Sequence, residues 1–193
     1  MRFTLALNTT IYAALALSMI VLALVPEHWQ LTLQYQRSAL EQGQLWRALS
    51  GHLLHANHWH LLLNLAGLLL AFLLHGRYFS ARQLLLQWFA FSLAISVLLY
   101  LFSTNIYSYV GLSGVLHAML TLGAIKDVQQ AERSGYLLLT GLIAKVAYEQ
   151  WQGPDAEIAS LIGADVAIDA HLYGVITGVL LALLLYIKNQ AQR

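Results

Sequence analysis

"YVGLSGVLHAML", residues 109–120, sets one serine between two glycines inside an apolar run. Small residues let membrane helices pack closely, and a lone serine can hydrogen-bond its own backbone. Helix packing alone would therefore account for an isolated Gly-x-Ser-Gly. Whether Ser113 does more depends on what the rest of the chain brings to its depth. The chain has 193 residues, 59% hydrophobic and only 10% charged. Soluble domains carry about 25% charged residues, so this reads as an integral membrane protein; the expected fold class is all-α and polytopic, a single domain over residues 1–193. The absence of cysteine excludes disulfides and thiolate chemistry. A net charge of +1 gives no reason to expect nucleic acid as a partner. No motif asks for a metal or a cofactor.

Working outward from Ser113, apolar stretches near the ~20 residues that cross a bilayer fall at 8–25, 52–74, 83–102, 109–126, 135–151 and 166–187. The first resembles a signal peptide, but it runs to Pro26 without a small-residue cleavage site and more spans follow. It is expected to be a retained helix. Lys145 and Glu149 interrupt the fifth stretch. Residues 26–51 hold Trp29, Tyr35 and Trp46 in a segment of mixed polarity, which suits a loop lying in the headgroup region. With six alternating spans, Arg2, Arg77, Arg82, Lys126, Arg133, Lys188 and Arg193 share one side. The other side receives only Arg37 and Arg47, with Glu27, Glu41, Asp155, Glu157 and Asp165. The positive-inside rule then places both termini in the cytoplasm.

That orientation has a geometric consequence. The fourth stretch enters from outside near Tyr109, so Ser113 lies about four residues in, roughly 6 Å at 1.5 Å per residue. His171 lies at nearly the same depth in the sixth stretch. The second, "HLLHANHWHLLLNLAG" at 52–67, carries His55, His60 and Asn64 in its outer half. Ionisable residues inside a membrane are costly and mark function by default. A serine needs a base to become a nucleophile, and the oxyanion formed on attack needs positioned donors. Ser113, His171, and His60 with Asn64 fill these roles. Gly174 and Gly178 follow His171 at i+3 and i+7, a stripe that permits close approach to a neighbouring helix. His28 and His58 read as interfacial residues, and His75, beside Arg77, as a helix-end cation. Lys145 and Glu149, at i,i+4, read either as a structural pair that lowers the cost of insertion or as part of substrate recognition.

Four motifs then resemble the rhomboid intramembrane serine proteases. "GLSG" at 111–114 matches the nucleophile motif, and "AHLYGVITG" at 170–178 the last core helix. "HANHWHLLLN" at 55–64 matches the second helix, and "WR" at 46–47 the first loop. The resemblance covers about residues 8–187. It implies a six-transmembrane-helix rhomboid-like bundle and a Ser–His dyad without a carboxylate. By carry-over Ser113 is the nucleophile and His171 the general base. His60, Asn64 and the backbone N–H of Ser113 form the oxyanion hole. His55 is structural, and Trp46 and Arg47 anchor the loop. One departure is His117, which stands where rhomboids often have a tyrosine stacked on the catalytic histidine. An imidazole can stack there, and it can also compete for the proton.

"GLSGVLHA", "KVAYEQ" and "DAHLYG" further resemble the rhombosortase subgroup. What that implies is a multi-pass enzyme of the bacterial inner (plasma) membrane. Its partners would be exported proteins with a carboxy-terminal Gly-Gly motif, a single transmembrane helix and a basic tail. The alternatives are a general bacterial rhomboid protease with other single-span substrates, a non-catalytic rhomboid-like protein that binds membrane clients, and a small transporter. The presence of both Ser113 and His171 speaks against the client-binding reading. The lack of inverted repeats speaks against a transporter.

Overall fold

Gly111 has φ +124°, a backbone conformation that side-chain-bearing residues rarely adopt. It turns the chain sharply into a helix whose first residue is Ser113. The structure, a computed structural model, describes residues 2–192, with side chains from Asn8 onward. The basic residues Arg2 and Arg193 of the charge asymmetry fall outside the described side chains.

The chain is predominantly helical. Its long helices are α1 (Arg2–Leu24), α5 (His58–His75), α6 (Ala81–Phe102), α7 (Ser113–Gln129), α8 (Arg133–Gln152) and α10 (Ile168–Ala191). Short helices α2 (Glu27–Leu33), α3 (Arg37–Glu41), α4 (Arg47–Ser50) and α9 (Ala156–Ile162) fill the connections. Two-residue strands β1 (Tyr35–Gln36) and β2 (Ser108–Tyr109) pair antiparallel, Tyr35 opposite Tyr109. Among the described residues, three helices, α5, α6 and α10, are long and apolar enough to cross a membrane, and Asn8–Leu24 of α1 forms a shorter apolar stretch.

Helix α7 falls outside that set for a physical reason. It lies at the centre of the bundle, packed on by α5, α6, α8 and α10, with Val115, Ala118, Leu122 and Ala124 fully buried. A helix covered by protein rather than by lipid does not need the apolar surface that lipid demands. Helix α8 carries Arg133, Lys145 and Glu149, which lower its hydropathy.

Two of the expected boundaries move. The second stretch does not begin as helix at 52. Residues 51–53 form one 3₁₀ turn, and α5 starts at His58 because the Asn57 side chain accepts from the His60 N–H at 2.9 Å. His55 therefore sits in the loop before the helix. The fourth stretch opens as strand at 108–109, so Ser113 lies at the start of its helix rather than one turn inside.

The segment 26–51 is folded as short helices around strand β1, and Arg47 ties its parts together. Its guanidinium, on a residue only 6% exposed, donates to the Leu31 carbonyl at 2.8 Å, the Gln34 carbonyl at 2.9 Å and Gln44 Oε1 at 2.7 Å. Trp46 is exposed and donates from Nε1 to the Thr32 carbonyl at 3.2 Å. His52, fully buried, meets the Ser92 carbonyl and Ser96 Oγ on α6, each at 3.0 Å.

At the opposite end of the bundle, His75 is also buried and not a simple helix-end cation. Its Nε2 lies 3.1 Å from Asp127 Oδ2, and the Tyr78 hydroxyl donates to the other oxygen. The Asn8 amide donates to the Gly76 carbonyl at 3.0 Å. These bonds gather the start of α1 with the ends of α5 and α7 at one end. The starts of α5, α7 and α10 are at the other, where the polar residues of interest meet.

Candidate active site

Helices α7 and α10 pack closely along a seam that Gly114, Gly174 and Gly178 keep open. A Cβ added at Gly174 would lie 2.2 Å from the Gly114 carbonyl oxygen. One added at Gly114 would lie 2.8 Å from the Ala170 carbonyl, and one at Gly178 2.7 Å from that of Ala118. Backbones this close bring the first turns of both helices into side-chain reach. Across the seam His171 Nε2 stands 2.9 Å from Ser113 Oγ. His171 is buried, and Ser113 remains partly exposed.

The other face of the His171 ring fixes its proton. Nδ1 lies 3.0 Å from Glu149 Oε2 and 3.2 Å from Oε1. A carboxylate only accepts, so Nδ1 carries the hydrogen and Nε2 presents its lone pair to the serine hydroxyl. That is the tautomer a general base requires. Lys145 Nζ in turn donates to Glu149 Oε1 at 2.5 Å. The i,i+4 pair on α8 thus exists, and its acid reaches across to α10.

His117 stacks on His171 with centroids 4.2 Å apart and planes 17° from parallel. Its Nδ1 lies 2.7 Å from the Ser113 carbonyl, one turn back on its own helix. A carbonyl accepts, so Nδ1 is the protonated nitrogen. The ring lies flat against His171 rather than in line with the serine hydroxyl.

His60 and Asn64 are both buried on α5. The His60 ring faces Gly111, where an added Cβ would come within 2.7 Å of Nε2, so it sits beside the turn leading into Ser113. Asn64 donates one amide hydrogen to the His60 carbonyl at 3.0 Å. An amide has two such hydrogens, which leaves one for another acceptor. His55 is buried edge-on to His60, centroids 5.0 Å apart. Tyr109, behind the turn, donates to the Gly111 carbonyl at 2.5 Å. Ser113 opens α7, where backbone N–H groups have no intrahelical acceptor. His28 and His58 are exposed.

A cavity of about 650 Å³ opens beside the site, lined by Lys145, Glu149, Pro154, Val166 and His171 among others. No cluster of three or more His, Cys, Asp or Glu able to hold a metal occurs among the described residues.

The residues missed in the sequence are His52, His75 with Asp127, and the contact of Glu149 with His171. Only the last has a signal there. Helix α8 leads from Arg133, on the side rich in basic residues, toward the other end. The depth rule that joined Ser113 to His171 also applies to Glu149.

Fold and site together define a helical membrane protein with a serine hydroxyl held on an imidazole inside the bundle. The sequence profile of the Rhomboid domain matches residues 42–188, three-quarters of the chain from α4 into α10, and the protein belongs to the rhomboid family. That family is generally one of intramembrane serine proteases acting on transmembrane substrates within the bilayer. Among curated proteins, none matches the chain.

Proposed function

We propose that this protein is an intramembrane serine endopeptidase in which Ser113 is the nucleophile and His171 the general base. The observation that carries the reading is the 2.9 Å contact between Ser113 Oγ and His171 Nε2, in a chain of a protease family. His171 takes the hydroxyl proton as Oγ attacks the scissile carbonyl, giving a tetrahedral intermediate. The proton then passes to the leaving amine as the C–N bond breaks, and an acyl-enzyme remains. Water, deprotonated by the same imidazole, attacks the ester, and collapse of the second intermediate returns the proton to Ser113. The developing oxyanion is met by the Ser113 backbone N–H, by His60 and by the spare Asn64 amide hydrogen. His117 holds the imidazole plane by stacking.

Six spans with both termini in the cytoplasm are the topology proposed for the single domain 1–193. It places the site near the outer surface. The gathering of the starts of α5, α7 and α10 at one end supports this arrangement, and so does the charge asymmetry. The setting is the inner membrane of a bacterium.

The substrate class is that of a rhombosortase: exported proteins with a carboxy-terminal Gly-Gly motif, one membrane helix and a basic tail. Residues around a bond cleaved near the surface must leave their helix to reach Ser113. Glycine costs about 1 kcal/mol relative to alanine in a helix interior, so a Gly-Gly pair unwinds readily and adds no bulk in a narrow cleft.

A fluorophosphonate probe should label the purified wild-type protein and not the Ser113→Ala variant. Equal labelling of both would overturn the protease reading. In cells, deletion of the protein should leave Gly-Gly-tailed clients uncleaved and membrane-bound, and Leu-Leu in place of the client's glycines should block processing. Release of trimmed clients from the deletion strain would remove the substrate assignment only.

Loss of an oxyanion donor costs about 10²–10³ in kcat in a soluble serine protease. His60→Ala and Asn64→Ala are expected to lower kcat by about tenfold to a hundredfold, softened by the backbone N–H. Turnover within twofold of wild type for both variants would take these side chains out of the mechanism.

A further inference from the structure

We infer that Glu149 is a positioning residue of the active site, one that fixes the tautomer of His171 and faces the positive charge the ring acquires. The inference rests on the Ser113–His171 reading above and departs from the two-residue dyad implied by the family resemblance.

Three observations carry it. Both Glu149 oxygens approach His171 Nδ1, at 3.0 and 3.2 Å, while Nε2 of the same ring meets Ser113 Oγ at 2.9 Å. Serine, imidazole and carboxylate therefore form one continuous line across α7, α10 and α8. The carboxylate is largely shielded, its side chain 14% exposed, so water competes weakly for its lone pairs. Finally, it is held from behind. Lys145, one turn earlier on α8, donates to Oε1 at 2.5 Å and fixes the direction in which the acid points.

The chemistry follows from where the proton goes. When His171 takes the Ser113 proton on Nε2, the ring becomes an imidazolium with Nδ1–H directed at Glu149. The carboxylate remains ionised throughout. Its charge lowers the energy of the ion pair formed with the tetrahedral oxyanion, and its acceptor excludes the tautomer that would turn an N–H toward the nucleophile. In a soluble serine protease, making the equivalent acid an amide lowers kcat about 10⁴-fold through the wrong tautomer. Here the side chain of the Glu149→Gln variant could still accept through its amide oxygen, and His117 stacking keeps the ring plane, so the expected loss is smaller.

The test uses the full-length protein in detergent or liposomes with a cleavable substrate. Glu149→Gln should lower kcat at least tenfold and Glu149→Ala about a hundredfold, with KM within twofold of wild type in both. The rate of fluorophosphonate labelling should fall in step. Adding Glu149→Ala to His171→Ala should cost nothing more. Formate, which can enter through the cavity beside the site, should restore Glu149→Ala several-fold where chloride at equal ionic strength does not. A structural ion pair would not respond to formate.

Turnover within twofold of wild type for both Glu149 variants would overturn the inference. So would a loss confined to KM or to thermal stability with no formate response. If Glu149→Ala does not fold, the near-isosteric Glu149→Gln decides by its kcat alone. The protease reading fails separately, by cleavage or labelling that survives Ser113→Ala.

Discussion

Ser113→Ala and His171→Ala are each expected to abolish cleavage, and the double variant should be no worse than either alone. In the proposed mechanism the two side chains share one proton across a single 2.9 Å contact, so removing either should disable the unit. In a soluble serine protease, loss of the serine or the histidine costs about 2 × 10⁶ in kcat, and removing the whole triad costs about as much. Folding should survive. Ser113→Ala removes a polar group from an apolar bundle, and in His171→Ala the carboxylate of Glu149 keeps its bond to Lys145. Thermal unfolding within a few degrees of wild type, with cleavage below detection, is the expected pair of results. Near wild-type turnover of a genuine substrate by Ser113→Ala would refute the nucleophile assignment.

What could be read from the sequence was whatever a one-dimensional rule controls. Apolar run length marked where the long helices lie, and the expected alternation of spans was what suggested a common depth for Ser113, His171, His60 and Asn64. The spacing of Gly174 and Gly178 from His171 marked a smooth helix face. The boundaries at 52 and 109 failed because both stretches are apolar without being helical at their starts. With Asn57 as its cap, α5 starts at His58, six residues after the apolar stretch does, and Gly111 turns the chain after β2. His75 and Asp127 lie 52 residues apart and form a buried contact that no local pattern encodes. Glu149 is the instructive case. Its i,i+4 bond with Lys145 was visible, and it reads from the sequence either as a structural pair or as part of substrate recognition. A carboxylate has two oxygens and several acceptor sites, so one local lysine does not exhaust it. The remaining capacity reaches His171, 22 residues away.

Gly174→Ala is expected to be strongly damaging although it touches neither reacting group. The added methyl would sit 2.2 Å from the Gly114 carbonyl oxygen and 3.0 Å from His117 Cβ. Neither obstacle can rotate aside, because one is helix backbone and the other is a first side-chain carbon. Relief requires α7 and α10 to move apart by something near 1 Å. The Ser113–His171 bond crosses that same seam, one residue before Gly114 and three before Gly174. A misplacement of about 1 Å costs on the order of 10²-fold in rate, and overpacking a tight core costs about 1–3 kcal/mol in stability. Gly174→Ala should therefore lose about a hundredfold in kcat and unfold at lower temperature, and Gly174→Leu should be inactive. Gly178→Ala meets the Ala118 carbonyl at 2.7 Å. It lies seven residues from His171, roughly 10 Å along the helix, so it should lose stability with a smaller loss of rate. Gly141 on α8 supplies the control, since a Cβ there meets nothing within 4 Å. Gly141→Ala should keep full activity and gain up to about 1 kcal/mol from helix propensity. Substrate turnover and thermal unfolding of the four variants check the series together. Wild-type kcat in Gly174→Ala would mean that the seam between α7 and α10 does not set the distance between Ser113 Oγ and His171 Nε2.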